Sequence, residues 1–556
     1  MIKSFLKITA LFISFLLLFS CARIVAPSGG PADKTPPAVK EILPKNNTTS
    51  FNSDKIEISF DEFISLKNFS KEFFVSPPLA EKPEKVLRGK KLIIKFNKTL
   101  LHPNTTYTFF FGNAIADYRA GNVLKNFQYV FSTGAFVDSL QIGGTVSSAE
   151  ELKPQKEFVV MLYKNAEITT VKTKKPDYAA LVDASGNFTL NHLAKGTYQI
   201  VALKDINHNF LFDLPEEEIA FLDSTIHIGV NDTVLKQKIA LFTFKEKHNN
   251  TYVNYYARKD KYTLQWAFNQ DYNKEIDFEI PNFSKKSYQL ELANKDTFSV
   301  FLTDSNLYNK KKITAYLSYL KEDSLHQLIK NTDTLKFTKN KFGKEDTLLA
   351  LSLNIKDKST VDFFQMINIR TPYPVRIYDK NAIKLFLEDS KQKYQIQNFF
   401  FKKDSLLATH FYLEDTLQKK SNYRLQILPK AFQDYWGRFN DTLQIDFQTK
   451  DENVYSEIKI DLKGLKQATP YILQLIDGKS KVLKEQYIQK DTIYTFSYLM
   501  PQTYQLKLIE DKNADHKWTT GNLDLHQQAE KVFYYKEKIA TKAHWTNDIV
   551  WDITNK

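Results

Sequence analysis

Residues 188–213 read FTLNHLAKGTYQIVALKDINHNFLFD and return without a gap as residues 494–519, YTFSYLMPQTYQLKLIEDKNADHKWT. Thr197, Tyr198, Gln199, Asp205 and Asn207 meet Thr503, Tyr504, Gln505, Asp511 and Asn513, and apolar positions meet apolar positions. Each copy follows another pair of strand-like runs: GTV (144–146) and FVVMLYK (158–164) in the first, LKG (462–464) and YILQLID (471–477) in the second. A supersecondary unit used twice makes the chain an array of small bodies rather than one large one. A fainter repeat precedes each copy. Residues 96–134 resemble 413–450 in a Thr-Leu step, an Asn before a Tyr-led strand, an Ala-x-x-Asp-Tyr turn, a Gly and a closing Phe-x-Thr.

The units are strands. KLIIKF (91–96), YTFFFGN (107–113) and FQYVFSTG (127–134) are short apolar or alternating runs between Asn, Gly, Pro and Asp. The chain holds 43 Phe and 29 Tyr, residues that fit a pleated, half-buried surface. No long amphipathic helix is legible beyond the N-terminal leader. The expected fold is therefore all-β, a multidomain array of β-sandwiches. Expected boundaries are 37–135, 139–243, 247–345, 346–450 and 453–556, with 247–345 matching neither repeat.

The N-terminus adds an anchor. Lys3 and Lys7 precede a dozen mostly apolar residues, Ile8 to Phe19, the length of a signal-peptide core. Ser20-Cys21 follows, and Cys21 is the only cysteine of 556 residues. One thiol makes neither an intramolecular disulfide nor a cysteine metal site. Residues 1–20 are expected to be a signal peptide and 21–36, rich in Pro, Gly and small residues, a tether.

The net charge of +13 is scattered, its densest runs being KTKK (172–175) and KKK (310–312). No Arg-rich groove with interleaved aromatics is present, so nucleic acid is not an expected partner. Catalysis finds no pattern either. The ten His are dispersed, there is no H-E-x-x-H or G-x-S-x-G, and IDGKS (476–480) lacks the first Gly of a phosphate loop and reads as an Asp-Gly turn. Asp61-Glu62 sits at a strand end. A non-enzyme is expected.

One loop carries ligand-like spacing. Asp205, Asn207, Asn209, Asp213 and Glu216 fall at places one, three, five, nine and twelve of a calcium loop. The second copy keeps Asp511, Asn513 and Asp515, with less negative charge. Place six, where Gly is wanted, is Phe210 or His516. An Asx-rich turn at the end of a hairpin is the alternative to Ca²⁺. Asp-Ser/Thr followed by an aliphatic residue or Thr also recurs, as at Asp138-Ser139-Leu140, Asp404-Ser405-Leu406 and Asp441-Thr442-Leu443.

The stretch Leu18-Phe19-Ser20-Cys21 resembles the lipobox of bacterial lipoproteins, which implies acylation of Cys21 and a membrane held without a spanning helix. Each buried CH₂ then contributes about 0.8 kcal/mol. Pro36-Pro37, Pro44 to Asn46, Phe60-Asp61-Glu62, Leu101 to Tyr107 and Phe131-Ser132-Thr133 resemble the bacterial Ig-like domains named after S-layer proteins. Gly186, Phe188, Leu190, Leu193, Gly196 and Tyr198 resemble the transthyretin-like or carboxypeptidase-regulatory β-sandwich; the second copy has Gln502 in place of Gly196. The Asp-Ser/Thr pattern resembles the O-glycosylation acceptor of Bacteroidota envelope proteins, and the whole order is similar to Ig-like lipoproteins of that phylum. These resemblances imply an outer-membrane lipoprotein, the cell surface favoured over the periplasmic face. Its role would be that of a scaffold or accessory subunit beside an outer-membrane β-barrel or another envelope protein. An adhesin or glycan-binding role, stabilised by calcium, is the second reading. The residues after Cys21, Ala-Arg-Ile-Val, depart from the acidic surface-export signal and leave the periplasmic face open.

Overall fold

The computed structural model describes residues 33–229, 239–247, 250–323, 327–338, 346–414 and 417–554. The leader and Cys21 lie outside the described residues. Among these residues α-helix is limited to two four-residue turns, Phe69–Glu72 and Ser305–Tyr308, and strands make up the architecture. The molecule is all-β, an array of two-layered sheets with separate apolar cores.

Residues up to Lys245, together with Gly521–Gln528, form one compact unit. Its first core lies between two sheets. One has the order Val39–Leu43, Lys55–Phe60, Lys91–Lys95, Glu84–Arg88, and the other Phe74–Ser76, Thr106–Gly112, Phe127–Ser132. Alternation sets the faces: Ile56, Ile58 and Phe60 turn inward from one strand and meet Tyr107, Phe109 and Phe111 from the other sheet. Phe51 stacks on Phe131 at 3.8 Å between ring centroids.

The second core of this unit is built on Leu140–Ser148, which pairs antiparallel with Asn187–Leu193 and parallel with Ile239–Lys245. Val159–Lys164 pairs with Gly196–Leu203, and both are buried along nearly their whole length. Gly144 stands directly against the Ile239 backbone, which leaves no room for a Cβ. In the same unit, Lys172 pairs with Asp524 at 2.6 Å, and Gln528 donates to the Phe221 carbonyl at 3.0 Å and to Asp223 at 2.8 Å.

Glu246–Thr520 with Ala529–Lys556 form the other unit, with three large cores and a small cluster of Ile472, Ile509 and Val532 among the described residues. In the first, the sheet Val253–Arg258, Thr263–Phe268, Thr297–Leu302, Tyr288–Leu292 faces the sheet Ile276–Glu279, Lys312–Glu322, Leu328–Thr338. Trp266, fully buried, stacks on Phe278 at 4.8 Å and on Phe298 at 5.4 Å. The segment that matched neither repeat in sequence is thus also a sandwich.

The next core repeats the unit at residues 37–135 in its hydrogen bonds. His102 N–H donates to the Tyr107 hydroxyl at 2.8 Å, and Gln418 N–H to that of Tyr423 at 2.7 Å. The closing Thr hydroxyl of each, Thr133 or Thr449, donates to the carbonyl of that same residue, His102 at 2.7 Å or Gln418 at 2.6 Å. Asp117 accepts from the amides of Gly121 and Asn122, and Asp434 from those of Trp436 and Arg438.

The last core repeats 139–243. Ser456–Lys463 pairs antiparallel with Thr492–Leu499 and parallel with Thr546–Asp552, and Tyr471–Ile476 pairs with Thr503–Glu510. Positive φ recurs at matched positions: 59° at His192 and 56° at Tyr498, 57° at His208 and 54° at Ala514, 64° at Phe210 and 62° at His516. Tyr198 donates its hydroxyl to the Ala194 carbonyl at 2.8 Å, and Tyr504 to that of Met500 at 2.6 Å. The Asp-Gly step at 477–478 is a hairpin turn in which Asp477 accepts the amides of Lys479 and Lys481, each within 2.9 Å.

Candidate functional site

The twin loops follow Gly196–Leu203 and Thr503–Glu510, where each chain leaves its sheet. In the first, Asp205 accepts the amides of Asn209 at 3.1 Å and Phe210 at 2.9 Å. In the second, Asp511 accepts those of Asp515 at 3.2 Å and His516 at 3.1 Å. Asn207 and Asn513 each accept one amide two residues on, at 3.2 and 3.1 Å. Asp213 gathers the first loop, receiving the side-chain amides of Asn207 at 3.1 Å and Asn209 at 2.7 Å. Thr519 stands in its place in the second, accepting from Asn513 at 2.9 Å and donating to Asp515 at 3.3 Å.

Asp205, Asn207, Asn209 and Asp213 are therefore brought together, but Glu216 is not. Its side chain is 71% exposed and pairs with Lys245. The residue that turns inward is Glu217, 1% exposed, which accepts the amides of Ile206 and Asp213 at 3.1 Å and Leu214 at 3.2 Å. Glu530 does the same for the second loop, accepting Lys512 at 2.7 Å and Thr519 at 2.9 Å. Burial pushes both carboxyls up from their ordinary range, against the N–H donors that favour their charge. A buried acceptor for several loop amides is a structural pin. The four gathered side chains carry six oxygens, two from each carboxylate and one from each amide, the lower end of the six to eight that calcium takes, and in this arrangement they accept N–H groups of the loop itself. Among the described residues, no group of three or more His, Cys, Asp or Glu could hold a metal ion.

The aromatics nearest the second loop divide by role. Trp518 donates its indole N–H to the Glu530 carbonyl at 3.0 Å and packs on Ile472, Ile509 and Val532. It is part of the fold. His516 lies edge-on to Tyr487 at 4.1 Å. Of the Asp-Ser/Thr motifs, Ser139, Ser224, Thr334, Thr347, Ser405 and Thr442 are exposed, whereas those at 232–234, 323–325 and 415–417 lie wholly or partly outside the described residues.

Sequence reasoning missed the joints between neighbouring sandwiches. In the first unit, Ala179 N–H donates to the buried Ser76 hydroxyl at 2.9 Å, and Thr106 donates to Asp138 at 2.9 Å. In the second unit, the Asp434 carboxylate holds Arg438 at 2.6 Å. The Arg438 guanidinium lies over Tyr373 at 4.1 Å and over Tyr262 and Trp436 at 5.3 Å. Trp436 donates to the Leu302 carbonyl at 3.2 Å, Gln289 to the Tyr435 hydroxyl at 2.7 Å, and Thr409 to the buried Glu291. Further along the same unit, Asp362 accepts from Lys450 at 2.8 Å and from Tyr455 at 2.6 Å, beside Phe364 stacked on Tyr498 at 5.1 Å. Tyr435 closes the Ala-x-x-Asp-Tyr turn of the repeat, and Arg438 follows it by three residues.

Residues 33–133 match the family model of a bacterial Ig-like domain. The search of curated proteins gives no match. Among solved structures the chain is similar to the Bacillus anthracis TIE protein (9% identity, 95% of this chain and 76% of that one, TM-score 0.13). It is also similar to domains 1–6 of the surface layer protein SbsC (9%, 91% and 67%, TM-score 0.13) and to the major pilin subunit of Bacillus cereus (10%, 75% and 99%, TM-score 0.13). Residues 33–133 are thus similar to a bacterial Ig-like domain, and they open an array of β-sandwiches.

Proposed function

We propose that the chain is a lipid-anchored envelope protein of the outer membrane, held by acylated Cys21, acting as a non-enzymatic scaffold or accessory binding subunit that contacts an envelope partner. The observation that carries this reading is the construction of the joints. Within each unit successive sandwiches are fixed to each other by half-buried side chains, as at Arg438 and Asp362, so binding surfaces at their ends keep a set spacing. The buried carboxylates described above accept from loop amides at Glu217 and Glu530 and, at the joint, from the Thr409 hydroxyl at Glu291. The anchor is tested by labelling cells with a palmitate analogue and separating membranes. The wild type is expected to carry label and sediment with outer membranes, and Cys21→Ser to lose both. A Cys21→Ser chain that still carries label would refute the anchor.

A further inference from the structure

Of the five tryptophans, Trp266 and Trp551 are buried, Trp436 and Trp518 are half-buried with their indole N–H bonded, and Trp545 alone is 60% exposed. An indole in water on a well-held backbone is a ring already placed for a ligand to cover. The backbone here is well held. Trp545 N–H donates to the Lys542 carbonyl at 3.2 Å, its own carbonyl accepts Glu457 N–H at 2.9 Å, and His544 N–H reaches the Tyr455 carbonyl at 2.7 Å. The ring borders a cleft of about 360 Å³ between Ile539–Ala540 and Thr546–Asp552, lined also by Tyr535, Glu537, Lys538, Asn547 and Asp548. That volume is at the small end of the ~300–1,000 Å³ of small-molecule sites. Lys542 sits over the indole at 5.2 Å and does not line the cleft.

We propose that this cleft binds a neutral saccharide. A pyranose presents an apolar C–H face, which an aromatic ring can cover, and a rim of hydroxyls, which carboxylates and amides can accept from and donate to. Trp545 supplies the open ring, and Tyr535, half-buried and edge-on to Trp551 at 5.8 Å, borders the cleft. Glu537 and Asp548, exposed and engaged in neither an ion pair nor a side-chain hydrogen bond among the described residues, supply acceptors. Asn547, whose side-chain amide donates to the Ala540 carbonyl at 3.3 Å, offers its remaining N–H and its amide oxygen. Two carboxylates against one Lys538 leave the lining net negative, which disfavours uronic and sialic acids and favours an uncharged sugar. A lipid tail finds no continuous apolar wall among these residues. The site goes beyond the anchoring proposal and stands on ligand binding by the chain alone.

The test titrates the full-length chain in mild detergent with neutral oligomers of glucose, mannose, galactose, xylose and N-acetylglucosamine, reading tryptophan fluorescence and calorimetry. Polygalacturonate and phosphatidylglycerol vesicles are run beside them. At least one neutral oligomer is expected to bind and to perturb the fluorescence. Trp545→Ala should weaken it about tenfold or more, and Asp548→Asn should weaken it with the fluorescence change retained. Both side chains are exposed, so unchanged thermal unfolding is expected and separates lost binding from lost fold. Flat titrations with every neutral oligomer overturn the proposal. So does a Trp545→Ala chain that binds as the wild type does, or a Trp545-dependent response to vesicles alone.

Discussion

Single side chains decide more here than local composition suggests. Tyr107 and Tyr423 each receive one loop amide on a buried phenol. Tyr107→Phe or Tyr423→Phe keeps the ring and orphans that donor, so each is expected to cost about 1–2 kcal/mol in denaturant unfolding. Glu216→Ala removes an exposed pair with Lys245 and is expected to stay within about 0.5 kcal/mol. Glu291 is the titrating residue to watch. Burial raises its pKa above the ordinary 4.5, with the Thr409 hydroxyl and the Lys403 charge opposing, Asp404 adding to the rise and His410 Nδ1 at 3.7 Å. A carboxyl raised on folding stabilises the fold most below its unfolded pKa and loses that contribution as pH climbs through the folded value. The melting temperature is thus expected to fall between pH 4.5 and neutrality by more in the wild type than in Glu291→Gln; equal slopes would show that Glu291 does not titrate there. None of this was legible in advance: Glu291 and Thr409 are far apart in sequence, and Glu217 looked no different from Glu216 beside it.

Strands and turns were the legible scale. Gly-x-Tyr steps, Asx spacing and Phe-x-Thr closures are local chemistry, and they recur in the structure as matched φ angles and matched hydrogen bonds. The pin of the second loop was not legible because it moved. Glu217 follows Asp213 by four residues, whereas Glu530 follows Thr519 by eleven. The segment 521–528 intervenes, and a gap-free alignment ends before it. The loops make a prediction of their own. Asp511→Ala strips acceptors from two amides and is expected to cost about 1–3 kcal/mol. Since those amides are satisfied within the loop, chelation with EDTA is expected to leave the wild-type melting curve unmoved; a drop on chelation would support calcium binding. Gly144→Ala would drive a methyl into the Ile239 backbone and is expected to cost about 3 kcal/mol in the same assay.

Across the whole molecule, the array of β-sandwiches followed from the repeats, but the joints did not, because their residues belong to different modules and share no pattern. Arg438→Ala leaves Asp434 buried without its partner and empties the space over Tyr373. It is expected to loosen the joint, read as faster proteolysis of the second unit, while the match at 33–133 keeps its own fold. The central claim is that these sandwiches serve as a scaffold beside a partner. It is met most directly by mild-detergent capture of the tagged, full-length chain from its own membranes after cross-linking, with mass spectrometry of what accompanies it. The account predicts one envelope protein, a β-barrel foremost, at fixed stoichiometry. Recovery of the chain alone under conditions that preserve its membrane association would contradict it.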